Sequence, residues 1–204
     1  MRFAIVIRKQ KIDNPWQNYR WKPIEVIPDI GQFGKSLELA GTEQNRKVVG
    51  RFLERDDEGE SWLFAGFDFQ FFADEAEGYF LNITAPEPCW FVMWRLEVDY
   101  QDYLEPNSMA SVMNEDGTGI AVPHRLMLSY NEASRLIDGG ESVDTAPLQA
   151  EMKSYLAEYV STNYKPEPKK RAKPASFKGA NRPAEPQWPN LTFLIGGPVR
   201  KQEL

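Results

Sequence analysis

The spacing of the apolar residues changes at Leu128, and that change limits the folds open to this chain. Upstream, apolar side chains recur at every second position in short runs. Downstream, from Ser129 to Tyr164, they recur three and four positions apart. A period of two belongs to half-buried strands and a period near 3.6 to helices. Strands first and helices after predict an α+β domain, built as a curved antiparallel sheet or partial β-barrel covered by two C-terminal helices.

The strand half begins with Arg2 to Lys9, where Phe3, Ile5 and Ile7 share one face and Ala4 and Val6 the other. Asn14-Pro15-Trp16 reads as a turn. Tyr19 to Ile27 reads as a second strand, with Pro23 favouring an edge or a bulge. Val48 to Leu53 is a third, followed by the acidic turn Asp56-Asp57-Glu58-Gly59. Phe67, Phe69 and Phe71 alternate with polar residues, as do Tyr79, Leu81 and Ile83 after a turn at Asp74 to Gly78, so both runs are expected as strands. Cys89 to Val98 is apolar on both faces at first, which suits a central strand covered from both sides. Asp99 to Thr118 is polar and acidic and is expected as a long exposed loop.

The helical half is announced by Ser129-Tyr-Asn-Glu132, a capping box in which Ser129 accepts a free helix N–H and Glu132 reaches back. Ala133, Leu136 and Ile137 then lead to a stop at Gly139-Gly140. A second helix is expected from Asp144 or Thr145, with Pro147 in its first turn and Leu148, Met152, Tyr155, Leu156, Tyr159 and Val160 on its apolar stripe.

The chain divides into a domain over residues 1–163 and a tail over 164–204. The tail holds nine Lys or Arg against three Glu, so it carries +6 of a chain whose net charge is −6, leaving −12 on the body. Seven of the 15 prolines also lie there. Such a composition reads as a flexible segment. Within it, residues 188–197 form a short apolar patch suited to docking, on the chain's own body or on a partner. A single cysteine excludes a disulfide framework and points to a reducing, cytoplasmic setting. The apolar run Phe3 to Ile7 is too short for a signal peptide or membrane span, so no membrane partner is expected.

The residues offer little chemistry. His124, the one histidine, shares a strand face with Val122 and Leu126, and a hydrogen-bonded structural role is the plainer reading. Cys89, beside Trp90, is expected as a buried inert thiol. No Cys or His pair suggests a metal, and no glycine-rich loop a nucleotide, so no cofactor and no catalytic residue is assigned. The clusters Asp56 to Glu58, Asp74 to Glu77 and Asp99 to Glu105 read as solvated charge. Trp16 and Trp21 flank the first turn, where core burial is the commoner reading and an interface the alternative. The residues offered for partner binding are Trp16, Trp21, Lys169, Lys170, Arg171, Trp188 and Phe193.

Several of these pieces occur together in a known family. They are Asn14-Pro-Trp16, Trp21-Lys-Pro23, Asp74-Glu-Ala-Glu-Gly78-Tyr79, Trp90 to Arg95, Leu128 to Ala133, Asp138 to Asp144 and Lys169-Lys-Arg171. In order and spacing the chain resembles an uncharacterised bacterial family, a domain of unknown function commonly encoded beside formate dehydrogenase genes. The family has no established catalytic residues, so none is carried over. The resemblance implies an accessory or assembly role around a molybdenum- or tungsten-dependent formate dehydrogenase, with a redox enzyme subunit as the protein partner. The rival expectations are an enzyme with a pocket built from scattered residues, and a nucleic-acid accessory protein acting through the basic tail. An acidic body disfavours the second. A homo-oligomer is left open.

Overall fold

The computed structural model describes residues 1–33, 50–109, 112 and 119–166. The chain divides into two units, Met1–Pro166 and Glu167–Leu204. The second lies outside the described residues, and with it Lys169, Lys170, Arg171, Trp188 and Phe193.

The first unit is α+β, with two antiparallel sheets that do not close into a barrel. Strands β1 (Arg2–Lys11), β2 (Tyr19–Pro28), β3 (Gly50–Asp56) and β4 (Gly59–Asp68) form one sheet in the order β2-β1-β4-β3. Strands β5 (Cys89–Glu97), β6 (Ile120–Met127) and β7 (Ser142–Pro147) form the other in the order β6-β5-β7. Among the described residues four α-helices join them: α1 (Ala76–Ile83), α2 (Pro106–Met109), α3 (Tyr130–Asp138) and α4 (Ala150–Asn163).

Of the three inner strands, β1, β4 and β5, the first and last show burial on two faces most plainly, as their unbroken apolar runs require. In β1, Phe3, Ile5 and Ile7 enter the main core, while Ala4 and Val6 join a smaller cluster with Leu63. In β5, Trp90 and Val92 enter the main core, while Phe91 and Met93 pack with Met127 and Ala133 under α3. The main core fills the space between the sheets. Trp62, Phe64, Trp90 and Tyr79 are almost wholly buried there, beside Met152, Leu156 and Val160 of α4. Each such side chain contributes roughly 1.5–3 kcal/mol through removal of apolar surface from water. Phe69 and Phe71 lie just past the end of β4 and carry the core onward: Phe69 meets Trp90 edge-on at 5.3 Å, and Phe71 stacks on Tyr159 at 4.5 Å.

Several expectations are corrected. Tyr79, Leu81 and Ile83 lie in α1, not in a strand. Tyr79 and Ile83, four apart, fit a helix as well as a strand, Leu81 faces out, and the spacing Ala76, Tyr79, Phe80, Ile83 is helical. Gly78 belongs to this helix rather than to a turn: a Cβ there would stand 2.0 Å from Ser129 Oγ, so the glycine lets α1 approach the start of α3. Ser142–Pro147 is a strand paired with β5, and the last helix starts only at Ala150, after Gln149. Asp144 and Thr145 are thus ladder residues, and Pro147 closes a strand rather than opening a helix. Nor is the stretch after Asp99 an exposed loop where it is described. Leu104 and Ser108 are buried, Leu104 bridges Gly50, and Ser108 Oγ accepts the Phe52 N–H at 3.1 Å. That segment covers the outer edge of β3.

Candidate functional site

Ser129 is where the local and the long-range architecture meet. It precedes α3 in an extended conformation, and its Oγ accepts the Glu132 N–H at 3.1 Å, which is one half of the expected capping box. The reciprocal half is replaced. The Ser129 hydroxyl donates to Glu75, in the short 3-10 turn Ala73–Glu75 before α1, and the Glu132 carboxylate pairs with Arg125 of β6 at 2.5 Å. Arg135, one turn further along α3, reaches the other oxygen of Glu75. Two carboxylates and two guanidiniums thus interlock where the turn, the strand and the helix converge.

The proton affinities of the two carboxylates are pushed apart. Burial alone would raise Glu75, but the Ser129 hydroxyl and the Arg135 guanidinium, helped by the Arg125 charge, hold it below the ordinary glutamate value. At Glu132 burial wins over the pull of Arg125, and the nearby Glu75 charge adds to it, so this carboxyl is raised. Burial also pushes the Tyr79 hydroxyl up to about 12; its oxygen accepts the Phe72 N–H at 3.2 Å.

A hollow of about 280 Å³ lies over this cluster, lined by Phe72, Asp74, Arg125, Glu132 and Arg135 among others. A larger one of about 670 Å³ shares Phe72, Arg125 and Glu132 with it and extends to Tyr79 and His124. A cleft that combines a lowered and a raised carboxyl is the arrangement acid–base chemistry uses. Here, though, both Glu75 oxygens are engaged within the protein, and Glu132 is bound to Arg125. His124 is likewise held, with Nε2 3.2 Å from Glu97 Oε1 and its ring edge-on to Tyr103. Among the described residues no group of three His, Cys, Asp or Glu could hold a metal ion.

Within the acidic clusters Asp57, Asp74 and Asp99 are exposed, as solvated charge would be, while other members have structural partners, Glu75 among them. Asp56 pairs with Arg8 at 2.5 Å and accepts the Glu58 and Gly59 N–H groups that close its turn. Glu105 pairs with Arg51 at 2.8 Å. Sequence spacing could not reveal the Glu75–Ser129 bond, because its partners lie 54 residues apart.

The two tryptophans offered for partner binding part company. Trp21, in β2, is 6% exposed and belongs to the main core, with the Lys9 ammonium 5.7 Å from its ring. Trp16, expected more often in a core, is 94% exposed at the tip of the β1–β2 hairpin. The tip is built: Asn14 Oδ1 accepts the Trp16 N–H at 2.9 Å, Asn14 O accepts the Gln17 N–H, and Asn18 O accepts the Ile12 N–H at 3.0 Å. Cys89, expected buried, is half-buried, and burial pushes its thiol up.

No helix among the described residues is long and apolar enough to cross a membrane. No curated protein and no solved structure matches the chain. Residues 2–173 match a family described as a protein of unknown function, DUF3305. That match takes in every strand and helix described above, and the chain belongs to this family.

Proposed function

We propose that this chain is a non-catalytic accessory or assembly protein that works by binding another protein. The observation that carries the reading is Trp16. An indole left 94% in water, on a hairpin tip fixed by three hydrogen bonds, does nothing for the fold. Tryptophan is among the residues that dominate binding energy at protein interfaces, and a rigid tip loses little entropy on docking. The ion cluster of Glu75, Arg125, Glu132 and Arg135 supports the same reading from the other side, since its polar groups are engaged with one another. The partner class follows from the family resemblance: a subunit of a molybdenum- or tungsten-dependent formate dehydrogenase.

The test is binding of the full chain to the purified formate dehydrogenase of its host, measured by biolayer interferometry for the natural protein and for Trp16→Ala. The expected result is a defined complex that the substitution weakens about 30-fold, the size of a ~2 kcal/mol interface residue. Equal affinity of the two chains would remove Trp16 from the interface. Absence of any complex would remove formate dehydrogenase as the partner.

A further inference from the structure

A third hollow differs from the ion-paired cleft in its unpaired charge. It lies where β2 runs alongside β7, with a volume of about 620 Å³, inside the range of small-molecule sites. Its walls include Pro23, Pro86, Pro88 and Pro147, with Ile24 and Leu148. Proline rings present apolar surface on a backbone whose φ is already fixed, so contact with them orders little. Two lysines, Lys22 on β2 and Lys153 on α4, also line it, and neither ammonium has a partner among the described residues. Glu87 is the one carboxylate of the lining, so the hollow carries +1 on a body that carries −12.

The start of α4, with Glu151 in its first turn, lies beside the hollow. Gln149 occupies the N-cap position but makes no capping bond. Its side chain is turned away, accepting the Trp90 Nε1–H at 3.0 Å and donating to the Val26 carbonyl. The first-turn N–H groups of α4 therefore have no side-chain cap, and Leu148 and Lys153, on either side of that turn, both face the hollow. A helix N-terminus favours negative charge. No arginine lines the hollow, so an anion there would meet two ammonium point charges rather than a planar fork, and the apolar walls favour one that carries an apolar body.

We propose that this hollow binds an apolar carboxylate, with its charged end between Lys22 and Lys153 at the start of α4 and its apolar body against Pro23, Pro88 and Leu148. The carboxylate can belong to a free organic acid or to the C-terminus of a polypeptide, and the two are separated by the test below. Binding is non-covalent: Cys89, also in the lining, keeps its proton at neutral pH because burial raises its thiol.

Cys89 supplies the assay. As the only cysteine of the chain, it makes alkylation by N-ethylmaleimide a reporter of this hollow alone. The full chain would be labelled in the presence of hexanoate, of hexanol, and of acetyl-leucyl-leucine with a free or an amidated C-terminus. Saturation-transfer NMR on the same probes reads binding without the thiol. Saturable protection by hexanoate or by the free-acid dipeptide, at least tenfold weaker with the neutral counterpart, is the expected result. Hexanoate binding points to an organic acid; binding of the dipeptide alone points to a chain terminus. Lys22→Gln and Lys153→Gln should each weaken that binding about tenfold; Lys22 is exposed and Lys153 half-buried, and circular dichroism of each variant checks that the fold is kept. Equal binding of neutral and charged probes, indifference to both lysine substitutions, or no binding by either method would overturn the proposal.

Discussion

Asn82 shows how much of this fold rests on a residue that patterning hides. It is buried in α1, where its Nδ2 donates to the carbonyls of Cys89 and Leu128 at 2.8 Å and its Oδ1 accepts the Cys89 N–H at 3.0 Å. One side chain thus closes three backbone groups, at the start of β5 and at the chain's exit from β6. In sequence it sits between Leu81 and Ile83 and reads as the outward residue of a strand. The groups that give it meaning lie 7 and 46 residues away. Asn82→Leu keeps the branched shape, adds some bulk and removes all three bonds, leaving buried polar groups that cost about 1–3 kcal/mol each when unsatisfied. Relaxation and water will recover part of that. The expected loss is roughly 3 kcal/mol in urea unfolding, with little change in the slope of the transition. A loss under about 1 kcal/mol would mean that water already serves these groups.

At the scale of elements, the legible features were those whose cause is local. The strand β1, the buried strand β5 and the start of α3 at Ser129 follow from neighbouring residues, and they stand where patterning puts them. The strand β7 and the true start of α4 do not, because pairing with β5 overrides the helix-start chemistry of Asp144 and Pro147. The Glu75–Ser129–Arg135 cluster was illegible for the same reason: each member has an ordinary local reading. That cluster has a pH signature. Glu75 is lowered in the folded chain, so its contribution to stability is present above the unfolded value and is lost as pH falls through the folded one. Glu132 is raised, so its contribution is full below the unfolded value and is lost as pH rises through the folded one. On acidification the two therefore oppose each other. Glu132→Gln removes the compensating member, and stability should fall more steeply than in the natural chain as pH drops from neutrality through the ordinary glutamate value of 4.5. Urea midpoints across that range read the slope directly, whatever the substitution does to stability at pH 7. Parallel profiles would show that Glu132 titrates alike in the folded and unfolded chains.

At the largest scale, the described residues face the problem of any open pair of sheets, which is edge strands, here β2, β3, β6 and β7, whose outer backbone groups no strand of the same sheet pairs. Here each edge is dealt with. The outer edge of β3 is covered by the segment around Leu104 and Ser108. Prolines occupy the other three: Pro23 and Pro28 in β2, Pro123 in β6, and Pro147 in β7. A proline lacks the N–H a new strand would need, so a second chain cannot extend the ladder past it. Pro23 and Pro123 also stand at register shifts in their ladders, where a strand bends and ceases to template a partner. The prolines read in the sequence as local punctuation thus have a collective role, because the binding role proposed for the Trp16 tip requires that the sheets do not bind one another. Replacing Pro23, Pro123 and Pro147 by valine together restores the donors and supplies a residue that favours strands. The loss of unfolded-state restriction costs about 0.4–1 kcal/mol per site, which a domain of this size tolerates. Sedimentation velocity over a hundredfold range of concentration should then show association that the natural chain does not show at the same concentrations. Unchanged sedimentation of the triple variant would mean that the twist of the sheets, not their prolines, keeps the edges apart.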